Sequence, residues 1–420
     1  MARQQDRSDQ GVAGLKHFKR LLPLLRTLRD CGCGRDTAGN RLLFMDEYCE
    51  LVILALLNPM IHSLRTLQKT VGLDKVAKKL GIRRFSLGSF SESPRAFEPR
   101  RLKAVIDELA KDLRPLSKDP RLSELKHVLT LADSTILAAL PRLAWAAAGP
   151  DARYGTARDG RPRYAWRLHT QFDLETFAPH RIDRTGARNA GNNREHNVLR
   201  RTLEAGRCYV GDGGYADRTL FDEVVARASS YVVRVREDSV FEVLEERLLP
   251  REALDAGVVR DAIVKPGGKD AGSMSHPVRV VAVQVEPHPR RTRTDPKKES
   301  DLILLVTCLS DLPAELVALI YQYRYTIELF FRFLKQLLGM RHLISQREEG
   351  IDIQVHCAVI VCMLINLTTG RRPDKYTLLM VHWYQLGLAS EREVIEHLNQ
   401  PDNRGTKLRA KEELWKKLGY

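Results

Sequence analysis

The sequence has little from which to build a disulfide framework or a membrane anchor. Its seven cysteines, at 31, 33, 49, 208, 308, 357 and 362, form no paired pattern, and their odd number points to reduced thiols in a cytosolic setting. Cys31 and Cys33, in "CGCGRD", have no second pair at zinc-finger spacing, so no zinc site is expected. The apolar run "LVILALL" (51–57) is far shorter than the ~20 residues that span a bilayer. "VHCAVIVCMLINL" (355–367) is interrupted by His356 and Asn366. Both read as core helices. The polar opening "MARQQDRSDQ" is followed by no secretory signal, and no internal repeat or low-complexity segment is evident.

What is present is charge of one sign. The 420 residues carry 68 basic and 53 acidic side chains, a formal net charge of +15. Such an excess favours a polyanionic partner through release of phosphate counterions, and nucleic acid is the leading candidate. The chain exceeds a usual single domain of roughly 100–200 residues, so two or three domains are expected.

The texture divides the chain into stretches. Residues 1–120 read as a helical N-terminal region, with "MDEYCELVILALL" and "EPRRLKAVIDELAKDL" placing apolar residues at helical spacing. Short β-branched runs follow in 121–236: "HVLTLAD", "YAWRLHTQFD", "CYVGD" and "SYVVRVR", with helical segments at 194–205 and 217–228. Residues 237–315 hold "VFEVL", "VRDAIV", "VRVVAVQV" and "LILLVTCL" with basic loops between them, notably 286–298, and read as a β-rich insertion. Helical periodicity resumes in 316–420.

Three acids stand out. The apolar run 128–132 delivers Asp133 in "HVLTLADSTIL", and 208–210 delivers Asp212 in "RCYVGDGGYAD"; each carboxylate ends a strand candidate. Asp217 competes for the second position but opens a helix at "ADRTLFDEV" and reads as an N-cap. The third is Glu328, in "YQYRYTIELFFRFLKQ" (321–336). At about 100° per residue, with Arg324 as zero, Glu328 falls near 40°, Lys335 near 20° and Tyr321 near 60°, so four polar heads share one face of a buried helix. Three carboxylates brought together repel and raise one another's pKa. A divalent cation removes that conflict. Two Mg²⁺ ions roughly 3.5–4 Å apart can activate a water or a DNA 3′-hydroxyl for in-line attack on a phosphodiester.

These residues resemble a known family, the bacterial insertion-sequence transposases of the DDE type, specifically insertion sequence family four. Its signature is Tyr, two residues, Arg, three residues, Glu, six residues, Lys, and Tyr321, Arg324, Glu328 and Lys335 fit every gap. "DST" after a hydrophobic strand (133–135), and a strand acid followed by Gly and Tyr (Asp212 to Tyr215), complete the likeness over roughly 125–370. The resemblance implies an α/β fold: a ribonuclease-H-like mixed sheet core, a β-rich insertion and a helical N-terminal domain. It implies Asp133, Asp212 and Glu328 as catalytic metal ligands for two Mg²⁺ (or Mn²⁺) ions. Tyr321, Arg324 and Lys335 would contact DNA phosphates. The partners implied are double-stranded transposon ends and target DNA, with a dimer in the synaptic complex and a cytoplasmic, nucleoid-associated location. The alternatives are a nuclease of the same fold without strand transfer, and a domesticated DNA-binding protein.

Some relatives place a Trp in the insertion to stack on a flipped base, but the four Trp here are at 145, 166, 383 and 415, outside it. Phe241 or Tyr231 could substitute as a stacking platform, although core packing fits them better. His169 and His196 lie near the proposed core and read as structural histidines. "GIRRFSLGSFSESPRAFEPRRLK" mixes Phe with Arg83, Arg84, Arg95, Arg100 and Arg101, and could form a helix-turn-helix or a solvated basic surface.

Overall fold

The computed structural model describes residues 21–113, 119–138, 165–186, 191–266, 274–285, 301–338, 345, 347–369 and 375–399, apart from positions 38, 40, 59 and 83. The strands are β1 (Val128–Ala138), β2 (Ala165–Asp173), β3 (Ala178–Gly186), β4 (Arg207–Gly211), β5 (Ser230–Val235), β6 (Phe241–Glu246), β7 (Val258–Pro266), β8 (Val278–Val285) and β9 (Asp301–Thr307). Among the described residues these nine form one sheet, in the order β3-β2-β1-β4-β5-β9-β8-β7-β6. The sheet is mixed: β1, β4 and β5 run parallel, and every other neighbouring pair is antiparallel. The parallel strands β4 and β5 carry the apolar runs "CYV" and "YVV", buried on both faces as such strands must be.

Helices cover both faces. We label α1 (Met45–Leu57), α2 (Leu102–Ala110), α3 (Glu195–Arg200), α4 (Arg218–Ala226), α5 (Ala314–Gln322), α6 (Tyr325–Leu338) and α7 (Glu348–Thr369). On one face, Leu131 and Val210 belong to a large core with side chains of α1, α5, α6 and α7. On the other, Ala132 and Tyr209 pack with Leu199 of α3 and Leu220, Phe221 and Val224 of α4. The protein is therefore an α/β molecule of three layers.

Helix α7 is long and apolar enough to cross a membrane, yet most of it is buried inside the protein against α1, α2 and α6. Its polar interruptions are satisfied internally: Asn366 donates to the Thr176 carbonyl at 2.7 Å, and His356 Nδ1 lies 2.7 Å from the Asp352 carbonyl. Helix α1 begins where the Glu47 carboxylate accepts from the Phe44 backbone N–H at 3.1 Å, and Tyr48 one turn inside stacks on Phe90 at 4.3 Å.

The strands of residues 237–315 extend the central sheet itself. β6 to β9 form an antiparallel meander whose last strand pairs with β5, Val232 opposite Thr307. The basic loop 286–298 lies outside the described residues. Residues 84–103 differ from a helix-turn-helix: a six-residue helix, Leu87–Glu92, is followed by the 3₁₀ turns Ser93–Ala96 and Pro99–Arg101. The reason is packing. Phe90 and Phe97 are buried against Tyr48, which folds the chain back on α1. Arg84, Arg95, Arg100 and Arg101 are exposed and paired with Asp74, Glu92 and Glu98, while Arg83 lies outside the described residues.

Candidate active site

The site is set by strand register. In the parallel pairing of β1 with β4, Leu131 stands opposite Val210. Asp133 and Asp212 each lie two residues further along neighbouring strands, so the strand period of two aims both towards the face of Leu131 and Val210. The backbone of Asp212 is still extended (φ −85°, ψ −172°), and its carboxylate ends the strand by accepting from Gly214 N–H at 2.9 Å in the 3₁₀ turn Gly213–Tyr215. Asp133 Oδ1 accepts from Ser134 N–H at 2.7 Å.

Helix α6 packs over this face through Ile327, Phe330 and Leu334, with the Phe330 ring 5.0 Å from Phe172 of β2. Its first turn carries Glu328, and Arg324 joins that turn to Asp133 in the middle of β1. One guanidinium nitrogen lies 3.4 Å from Asp133 Oδ2 and another 2.7 Å from Glu328 Oε1. The stretch 321–336 is not one helix. α5 stops at Gln322, and Thr326 N–H to Tyr323 O (2.8 Å) and Ile327 N–H to Arg324 O (3.2 Å) form tight turns before α6 is established. The Tyr323 hydroxyl, tied to Asp119 at 2.6 Å, holds the break. The polar stripe survives it: the Arg324 guanidinium is 5.9 Å from the Tyr321 ring centre.

The electrostatics are those of a crowded acidic site. Burial, and then the charge of Asp212, push the Asp133 carboxyl up to about 7, against the pull of Arg324. Burial holds Lys335 below its ordinary value, with the charge of Asp133 opposing. Burial raises the Tyr321 hydroxyl, while Arg324 and Arg234 act to lower it. Among the described residues, no three His, Cys, Asp or Glu side chains are grouped closely enough to hold a metal ion. Arg324 lies between two of the three carboxylates expected to converge, so that Glu328 meets Asp133 through its guanidinium. Like charges repel, and a guanidinium between two carboxylates removes that repulsion.

Asp217 is an N-cap, accepting from Leu220 N–H at 2.8 Å. We expect Asp217→Ala to cost about 0.5–2 kcal/mol of stability while DNA cleavage per folded molecule is unchanged, as a urea melt and a cleavage assay would show together. His169 Nε2 lies 2.9 Å from Thr185 Oγ1, and burial, then the charge of Arg167, lower its pKa to about 4, so it is neutral and structural. His196 Nδ1 lies 3.3 Å from the Gly214 carbonyl. Tyr231 is no stacking platform: it is buried on Phe221 (4.3 Å, 7° between planes) with its hydroxyl 2.9 Å from His276 Nε2. Phe241 packs against the same core.

Two residues at the site escape a sequence reading. Arg234 lines, with Asp212, Gly213 and Arg236, an open cavity of about 510 Å³ beside the strand ends. Its signal was present in "YVVRVR", where alternation sets it apart from its apolar neighbours. Glu195, at the start of α3, has no spacing signal of its own; it reaches the site only through the fold.

The family model of the transposase DDE domain matches residues 124–366, which include β1, β4, β5 and α6. The chain belongs to this family. It is a DNA transposase, an enzyme of the DDE polynucleotidyl transferase and endonuclease type. A putative transposase of Sinorhizobium fredii is 24% identical over 283 residues, 66% of this chain and 71% of that protein. A cryo-EM structure of the piggyBac transposase synaptic complex with hairpin DNA aligns over 95% of this transposase and 82% of that chain, at 11% identity and a TM-score of 0.43, a likeness too faint to carry an argument.

Proposed function

We propose that Asp133, Asp212 and Glu328 are the acidic triad of a ribonuclease-H-like transposase core of insertion sequence family four, acting at terminal inverted repeats. The observation that carries this reading is the shared register of Asp133 and Asp212 on adjacent parallel strands, with Glu328 delivered to the same face. The donor set fits a hard divalent cation: carboxylate oxygens on rigid elements, one of them desolvated and raised to about 7 by its acidic neighbour. Two Mg²⁺ or Mn²⁺ ions held by the three carboxylates would activate the attacking oxygen and stabilise the leaving one. Arg324 would then exchange a carboxylate for a DNA phosphate. Lys335 and the Tyr321 hydroxyl, on the same stripe, would fix the orientation of that phosphate. Arg84, Arg95, Arg100 and Arg101 are exposed and would contact flanking duplex by exchanging Asp74, Glu92 and Glu98 for phosphates, and two ends would be held by a dimer in the cytoplasm.

The decisive test uses full-length protein, a supercoiled plasmid carrying the terminal repeats of the element, and Mg²⁺. Joined product formed from free 3′-OH ends and target DNA supports transposition; hydrolysis without joining supports the nuclease reading. Binding and chemistry separate within the stripe. Arg324→Ala and Lys335→Ala should weaken end binding at low salt and reduce its log–log salt slope by about one unit per lost phosphate contact. Glu328→Ala should leave the slope unchanged. Isotherms across a salt series in Ca²⁺ would show this; an Arg324→Ala protein that binds normally but unfolds more easily would reduce the pair with Glu328 to a helix ion pair worth about 0.3–0.5 kcal/mol.

A further inference from the structure

Behind Asp133 and Asp212, on the opposite face of the sheet, one buried acid touches both of their supports. Glu195 Oε1 accepts from the Ser134 hydroxyl and from Arg167 Nη1 at 2.8 Å, and the same Arg167 nitrogen lies 2.6 Å from Ser134 Oγ. Its other oxygen, Oε2, lies against Gly214, where a Cβ on the glycine would overlap it. The backbone N–H of Ser134 is the donor to Asp133, and that of Gly214 is the donor to Asp212. A chain of contacts thus runs Asp133, Ser134, Glu195, Gly214, Asp212. Glu195 and Arg167 are each no more than 9% exposed, so the pair is shielded from water and its geometry is stiff.

We infer that Glu195 is a positioning residue for the transposase reaction, setting the distance and orientation of Asp133 relative to Asp212 by bracing Ser134 on one strand and the Gly213–Tyr215 turn on the next. The inference rests on the proposed roles of the two aspartates. A carboxylate suits the task because it offers two oxygens at a fixed separation, one for each strand. Arg167 fixes the first oxygen and neutralises the charge that burial would otherwise penalise. Glycine at 214 is required by the close approach of the second oxygen. Ligand carboxylates bound only through mobile supports would gather a cation poorly, since the affinity of such sites depends on how the groups behind the ligands orient them.

The test uses full-length protein with Glu195→Gln, Ser134→Ala, Gly214→Ala and the double variant Glu195→Gln/Gly214→Ala. Mn²⁺ binding is followed by electron paramagnetic resonance, end binding by isotherms in Ca²⁺, cleavage on the two-ended plasmid in Mg²⁺, and folding by thermal melts. Glu195→Gln and Gly214→Ala should each lower Mn²⁺ affinity and the cleavage rate at saturating DNA by roughly 10–100-fold, with end binding retained. The double variant should lose less than the product of the two, because both act on one contact. Ser134→Ala removes one hydroxyl and leaves the Arg167–Glu195 pair in place, so it decides the question if Glu195→Gln melts early. It too should lose Mn²⁺ affinity. Variants that melt lower but bind Mn²⁺ and cut at the wild-type rate would overturn the inference and make Glu195 an ordinary brace. A wild-type protein that binds no Mn²⁺ and cuts nothing would instead overturn the reading of the aspartates, and the inference with it.

Discussion

Asp133→Asn and Asp212→Asn are each expected to abolish cleavage of a plasmid bearing the transposon ends while end binding in Ca²⁺ persists. The loss should exceed the roughly 10²–10³-fold seen on removing a single preorganised donor, because each aspartate is proposed to hold a cation rather than one hydrogen bond. Asn preserves shape, so the fold should survive. For Asp133 the substitution should do more than that. Its carboxyl is pushed up to about 7 by burial and by Asp212, whereas in the unfolded chain it ionises near the usual value for aspartate. Between those two values the folded state holds a proton that the unfolded state has released, so stability falls as pH rises from about 4 to about 7. Above the folded value the full penalty is present. Asp133→Asn cannot ionise, and in metal-free buffer at pH 8 it should be more stable than wild type, by up to a few kcal/mol, with the gain vanishing at pH 4. Urea melts at the two pH values check the sign; an Asn variant less stable than wild type at pH 8 would show that Arg324 already compensates the charge.

Arg279→Met should be the most destabilising single change in the strands of residues 237–315. Arg279 of β8 forms two 2.7 Å bonds to both carboxylate oxygens of Asp261 on β7, and the partners are only 3% and 6% exposed. Its remaining nitrogen reaches the carbonyls of Leu309 (2.9 Å), Ser310 (3.3 Å) and Leu312, the segment that leads into α5. Removing the guanidinium leaves a buried carboxylate uncompensated, at a cost of about 3–5 kcal/mol, and takes a donor from the Leu309 and Leu312 carbonyls, while Ser310 keeps Arg247 at 2.6 Å. The double variant Arg279→Met/Asp261→Leu should recover much of the loss, since replacing both members of a buried pair by apolar groups is often near neutral. Denaturant titration of the two variants against wild type measures both effects.

Much of the sheet could be read from alternation and apolar runs. "YAWRLHTQFD" contains β2, legible by its period-two alternation, and "SYVVRVR" contains β5, legible by its β-branched apolar run. "HVLTLAD" shows only the start of β1, which continues through "STILA" where β2 pairs with it, a non-local fact. β3 was not legible at all. Its sequence, "APHRIDRTG", is polar because it is an edge strand, and charges such as Arg181 and Asp183 protect an unpaired edge. The three acids and their order were readable because Asp212 follows a strand and Glu328 opens a helix, but Asp133, expected to end its strand, lies in the middle of β1, which β2 extends beyond its pairing with β4. The break between α5 and α6 was not, because the side-chain angles of an ideal helix and of this tight turn place Arg324 and Glu328 together equally well. Glu195 was invisible because its meaning depends on Gly214, brought to it only by the turn after β4.

The strand order also dictates a sequence of events in time. β6 to β9 are neighbours along the chain and can assemble as a meander from local contacts, but β9 must then find β5 across the whole span between them, which is the slow kind of closure. Only six residues, 308–313, separate the end of β9 from the start of α5, and α6 follows two residues after α5. The strand that completes the sheet is therefore the one that swings Glu328 over Asp133 and Asp212. A chain emerging from the ribosome carries both aspartates long before Glu328, and the proposed triad would come together in the same late step that finishes the sheet. On that reading, a molecule in which β9 has not yet paired with β5 would lack the assembled triad and would not cut DNA.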